Sequence, residues 1–236
     1  MKELLNVSGV SAGYGPLRVL HDISFTIHRG ERIGLVGLNG HGKSTLFRTI
    51  TGLVDWQNGS IMLNGVEIGG RRTQGPGRMT HRIARQGVAL MPQGDAMFIG
   101  LTVRQHLDAG AFTRKAWSER HKRRDRILDI FPPLRNLLNQ PVGKLSGGER
   151  RMVTLGRGLM GDVMLYLVDE PSLGLAPKIS RAVIDALTNV DLTDGAMVVA
   201  EQNLHLLEGC VDRLIGMHGG EIKGSVDSLS VHSVGD

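Results

Sequence analysis

Three features of the sequence predict a mixed α/β fold: a parallel core, an antiparallel β-subdomain ahead of it and a helical lobe inserted within it. The first third alternates apolar and polar residues between Gly-rich turns in LLNVSGVSAGYG, LHDISFTIHRGE and GSIMLNGVEIGG. That is the pattern of antiparallel strands with one wet face. Within it, the nearly continuous apolar run RIGLVG, Arg32 to Gly37, passes through a glycine loop into KSTLFRTITGL. The latter reads as an amphipathic helix closed by Gly52. Later the apolar runs MLYLVDE and AMVVAE flank the helical pattern SRAVIDALTNV. Strand, helix, strand in that order implies parallel pairing through a right-handed crossover.

The inserted lobe follows from a change of period. From Thr102 to about Gly161 the apolar spacing turns helical, as in TVRQHLDAGAF and RRDRILDIF, with breaks at Pro132, Pro133 and Pro141. With no internal repeat and no low-complexity linker, residues 1–236 are expected to form a single domain. Its core and β-subdomain would span 1–94 and 162–236, and its helical subdomain 95–161.

Composition narrows the setting. A chain of 236 residues with 41% hydrophobic residues can bury a substantial core. The lone cysteine, Cys210, permits no intrachain disulfide, as expected in a reducing compartment. The N-terminus carries no long apolar segment, and no run approaches the roughly 18 to 20 apolar residues that span a bilayer. A soluble or peripheral chain is expected. The formal charge is +5, with a basic run from Arg114 to Arg126 that could meet phosphates. Interspersed Glu119 and Asp125, and the lack of an aromatic stacking pattern, favour a solvated helix face instead.

The chemistry is carried by three segments. GLNGHGKST fits the phosphate-binding pattern G-x-x-x-x-G-K-[ST] at Gly37, Gly42, Lys43 and Ser44. In such a loop the glycines let backbone N–H groups curl around phosphate oxygens, the lysine neutralises them and the hydroxyl binds Mg²⁺. MLYLVDE ends a buried strand in Asp169 and Glu170, carboxylates that are costly there without cations or hydrogen-bond donors. Asp169 would hold the Mg²⁺ shell, directly or through water, and Glu170 would polarise the attacking water. In LSGGER, Ser146 reads as a helix N-cap, with Gly147 and Gly148 where a backbone can approach an anion.

In this order, GLNGHGKST, LSGGE and YLVDEPS resemble the nucleotide-binding subunits of ABC transporters over essentially the whole chain. The resemblance implies a RecA-like phosphate-loop fold and ATP with Mg²⁺ as ligands. It further implies a second ATP-binding subunit packed head to tail, so that each ATP lies between one phosphate loop and the other signature helix. Carried over by position, Tyr14 would stack on adenine. Asn39, Gly40 and Thr45 would complete the loop's nucleotide contacts, and Gln93 in LMPQGD would touch Mg²⁺ or the attacking water. The segment after Gln93 is where this family docks integral membrane permease subunits. Met97, Phe98 and Ile99 would either form that socket or pack internally. The chain would then sit at the cytoplasmic face of the membrane, coupled indirectly to a solute-binding protein and not to nucleic acid.

DEPSLGLAP, PQG and EQN are similar to the branched-chain amino acid importer type, which includes urea and short amide carriers. Two positions depart from the general pattern. Ala176 stands where an aspartate usually contacts the opposite subunit, and Gln202 stands where a histidine usually meets the γ-phosphate. A Gln amide donates to a phosphate oxygen without proton chemistry. His205 is expected on the following helix, away from the phosphate. The competing reading is a soluble ABC ATPase acting on DNA or ribosomes, although the chain has neither a coiled-coil insertion nor a second cassette. An ordinary phosphate-loop kinase or GTPase leaves LSGGE unexplained.

Overall fold

The computed structural model describes residues 2–54, 56–69, 79–94 and 97–227. Asp95 and Ala96, in the segment expected to dock a permease, and the C-terminal residues 228–236 lie outside the described residues. The chain packs as two compact units. One comprises Met1–Leu90, Met164–Asp169 and Asp191–Asp236, the other Met91–Val163 and Glu170–Val190.

The first unit carries two sheets. β1 (Glu3–Tyr14), β2 (Leu17–His28), β4 (Trp56–Leu63) and β5 (Val66–Gly69) form the antiparallel sheet in the order β2-β1-β4-β5. The expected wet face is interrupted, because β1 buries Leu4 and Leu5 in succession, and then Val10, Ser11 and Ala12. Register shifts against β2 between Glu3 and Leu5 and between Val7 and Val10 break the two-residue alternation, as bulges do.

The second sheet has the order β10-β9-β3-β8-β7-β6. It contains β3 (Arg32–Val36), β6 (Val88–Met91), β7 (Leu165–Asp169), β8 (Ala196–Glu201), β9 (Arg213–His218) and β10 (Glu221–Asp227). β3 pairs in parallel with β8 and β9, and β7 with β8, whereas β10 returns antiparallel to β9. Every residue of β7 and β8 is buried, the signature of strands covered on both faces. α1 (Lys43–Ile50) contributes Leu46, Phe47 and Ile50 to a core shared with Ile33, Leu35, Leu167, Val198 and Ile61. α2 (Thr80–Arg85) buries Ile83 in the same cluster.

The second unit is helical. It contains α3 (Val103–Gly110), α4 (Arg114–Ser118), α5 (Arg120–Ile130), α6 (Gly147–Leu159) and α7 (Pro177–Thr188), with 3₁₀ turns over Pro132–Leu137 and Val142–Lys144. Helix α7 begins three residues before the predicted Ser180, because Pro177 at its first position is already fixed near helical φ. The basic run is not a uniformly solvated face. Arg124 is buried and grips Asp108 through both carboxylate oxygens at 2.6 and 2.9 Å, while Arg123 joins Glu119 to Asp162.

Candidate functional site

In the first unit the register of the parallel sheet gathers one cluster of chemistry. Val36 pairs with Glu201 across β3 and β8, and Asp169 pairs with Ala200 across β7 and β8. Three adjacent strands therefore end together, and open parallel sheets bind ligands outside such carboxyl ends. The loop from Gly37 to Gly42 leaves β3 at this edge and turns at Gly40 (φ 83°) and Gly42 (φ 98°). A Cβ on Gly42 would lie 2.9 Å from Leu20 Cδ2 as well as in the left-handed region, so two independent constraints select glycine there.

Gly42 begins α1 without a side-chain cap, and the first turn holds no acidic residue. The positive end of that helix thus faces the loop. Lys43 is buried, and its Nζ donates to the Gly37 carbonyl at 2.6 Å and to the Leu38 carbonyl at 3.2 Å. Asn39 and Gly40 are exposed, Ser44 is half-buried and Thr45 is buried. His41 donates from Nδ1 to the Met217 carbonyl at 3.2 Å and meets His218 edge to face. Tyr14 keeps its ring 44% exposed at the end of β1, and its hydroxyl accepts from Arg48 of α1 at 3.2 Å.

Asp169 and Glu201 are both buried at the ends of their strands. Gln202, one residue further, is exposed. Asn203 caps the 3₁₀ turn Leu204–Leu206 by accepting from the His205 amide at 3.1 Å. His205 points outward, 84% exposed, and pairs with Glu208 at 2.9 Å. Of the polar residues that end this strand, Glu201 is thus buried beside the loop's strand, while Gln202 and Asn203 are both exposed, Asn203 with its side chain spent on capping the turn.

In the second unit the chain leaves Asp169 through a strained residue. Glu170 has φ 43°, rare for a residue with a Cβ and a mark of a backbone held by its surroundings. Its carboxylate Oε2 accepts from Gln93 Nε2 at 3.0 Å, so these two sequence-predicted residues meet. Ser146 caps α6 in a reciprocal box with Glu149, whose carboxylate accepts from the Ser146 amide at 2.8 Å. The two signature glycines differ. A Cβ on Gly147 would meet open space, whereas one on Gly148 would strike Ile179 Cγ2 of α7 at 2.8 Å.

The sequence marks Glu201 at the strand end but assigns it no role, and one further residue escaped the sequence reading. Arg151 is a buried cation on α6, one turn before Leu155 on the apolar side, and that placement was the available signal. Met97 is half-buried, whereas Phe98 and Ile99 are 65% and 72% exposed. Behind them His106 is fully buried on α3, accepting at Nε2 from the Phe98 amide at 2.9 Å. Burial first, then the nearby Arg157 charge, hold its pKa below the ordinary imidazole value of 6.5. Among the described residues no helix is long and apolar enough to cross a membrane.

Residues 20–173 match the ABC transporter family. Over 93% of this chain and 91% of the relative, the sequence is 34% identical to the high-affinity branched-chain amino acid transport ATP-binding protein BraG of Pseudomonas aeruginosa. It is 33% identical to Nod factor export ATP-binding protein I of Rhizobium johnstonii, over 92% of this chain and 67% of that one. A solved ATP-binding subunit of an ABC transporter is similar at a TM-score of 0.78 and 27% identity, over 95% of this chain and 90% of that one. With the phosphate loop, the capped signature helix and the carboxylate-ended strand in place, the chain belongs to the ABC transporter family as an ATP-binding ATPase subunit.

Proposed function

We propose that this subunit powers an importer of branched-chain amino acids or related small solutes from the cytoplasmic face of the membrane. The observation that carries the hydrolytic part is Glu170: a buried carboxylate at φ 43°, directly after a metal-type aspartate and hydrogen-bonded to Gln93. The importer type rests on the similarity to BraG.

Lys43 and the α1 amides hold the β and γ phosphates, with Asn39, Gly40 and Thr45 beside them and Tyr14 under the adenine. Mg²⁺ fits the donors: Ser44 and Asp169 supply a hydroxyl and one carboxylate. No cluster of three His, Cys, Asp or Glu is present among the described residues. Mg²⁺ needs no such cage, because phosphates and waters would fill its other positions, and it would neutralise charge developing on the phosphates. Glu170 takes a proton from the attacking water while Gln93 orients the carboxylate, and Gln202 donates to the γ-phosphate.

Ser146, Gly147 and Gly148 present α6 to the γ-phosphate held by a second ATP-binding subunit, identical or related. Hydrolysis then releases the pair. The domain division that accompanies this reading is a core of 1–94 and 162–236 with a helical subdomain of 95–161. Integral membrane permease subunits dock near Phe98 and Ile99, and a solute-binding protein acts through them. ATP-dependent uptake of labelled leucine by cells with and without the chain tests the assignment. Loss of uptake on deletion is expected. Unchanged uptake with an altered efflux rejects import and favours the direction named for the Nod factor relative, while recovery with ribosomes or nucleic acid favours a soluble ATPase.

A further inference from the structure

Arg151 is buried, and its guanidinium donates to four backbone carbonyls. These are Pro92 at 2.9 Å, Gly94 at 2.9 Å, Glu170 at 3.0 Å and Pro171 at 3.1 Å. Two of these carbonyls flank Gln93 on either side, and the other two belong to Glu170 and the residue after it. The side chains thus bracketed are the pair joined by the 3.0 Å hydrogen bond from Gln93 Nε2 to Glu170 Oε2. All five residues and α6 lie in one compact unit.

We propose that Arg151 is a positioning residue for hydrolysis: it ties the signature helix to the backbone on both sides of the Gln93–Glu170 pair and holds that pair in its reactive geometry. This rests on the assignment of Glu170 and Gln93 given above. Only a planar fork with five donors can serve four carbonyls in fixed directions, and the three donors of a lysine radiate from a single point. The Glu170 backbone sits at φ 43°, away from the conformations its side chain favours, and the bond from Arg151 to its carbonyl opposes relaxation. A change at the amino end of α6, where the sequence motif lies, would therefore reach the carboxylate through one rigid side chain. Arg151 is engaged by backbone carbonyls and holds the pair through them, so it acts on kcat rather than on nucleotide affinity.

The test compares Arg151→Lys and Arg151→Gln with the unaltered full-length chain. It measures ATP turnover per nucleotide-binding site, with sites counted by equilibrium binding of ATP so that misfolded protein does not contribute. A fall in kcat of about 10- to 100-fold is expected, the scale of a misplacement of about 1 Å, with the Kd for ATP changed by less than about 3-fold. A double-mutant cycle with Gln93→Ala supplies the readout that simple destabilisation would not move. The two losses should combine to much less than their product, because both act on the same pair. Unchanged kcat per site, a loss confined to Kd, or losses that multiply overturn the proposal. Glu170→Gln is measured alongside. If that variant keeps most of its turnover, the assignment of Glu170 fails, while the cycle on Gln93 still reports on Arg151.

Discussion

Gln93 Nε2 donates to Glu170 Oε2 at 3.0 Å, although the two residues are 77 positions apart in sequence. The amide fixes the plane of the Glu170 carboxylate. Replacing Glu170 by Gln keeps the shape and removes the base. Turnover should fall by about 100-fold or more with ATP binding retained, and Mg-ATP should trap a dimer. Size-exclusion chromatography with saturating Mg-ATP checks the second point, and purely monomeric elution would sink the head-to-tail reading.

Gln202 is open at the strand edge, whereas His205 turns outward to Glu208. Gln202→Ala should lower turnover about 10-fold or more, the scale of a lost donor to developing charge. His205→Ala should leave it nearly unchanged. The reverse order in a steady-state ATPase assay would mean that the histidine, not the glutamine, meets the phosphate.

The signature glycines should separate by mechanism. Gly148→Ala drives a methyl against Ile179 and should cost about 1 to 3 kcal/mol in denaturant unfolding. Gly147→Ala enters open space and should change stability by less than about 0.5 kcal/mol. If Gly147 faces the partner's nucleotide, its loss appears in turnover instead. Equal destabilisation by the two substitutions contradicts this division of roles.

Ala176 is the N-cap of α7 and offers no side-chain acceptor. Ala176→Asp should satisfy a first-turn amide and complement the helix dipole, raising stability by about 1 kcal/mol. That is a shift of about 2 to 4 °C in Tm for a chain of this size. No gain in calorimetry would mean the cap amides are already served by water at no cost.

His106 binds its proton more weakly in the folded chain than in the unfolded one, because burial and Arg157 oppose the charge. Its contribution to stability is complete above pH 6.5 and is lost as pH falls below that value, since the unfolded chain then takes up more protons. Protonation at Nε2 also breaks the bond from the Phe98 amide. The protection factor for hydrogen exchange at Phe98, corrected for the intrinsic slowing of exchange in acid, should therefore fall below pH 6.5. His106→Asn should flatten the pH dependence of unfolding relative to the unaltered chain, and a parallel dependence in the two proteins would exclude His106 as its source.

The local chemistry was legible because it is written in contiguous residues. A phosphate loop is a short run of backbone amides opening one helix, so GLNGHGKST declares it, and LSGGE declares a capped helix start in the same way. The α/β class was equally legible from β-branched runs broken by glycines and from the shift to helical spacing after Thr102. Long-range register was not, because no neighbouring residue encodes it. Only the folded chain brings Glu201 beside Val36, brings Gln93 onto Glu170 across 77 positions, and turns Arg151 of the signature helix into a four-point clamp. The strained φ of Glu170 belongs to the same class, since a left-handed glutamate is held by contacts from other segments and has no preference of its own to announce it.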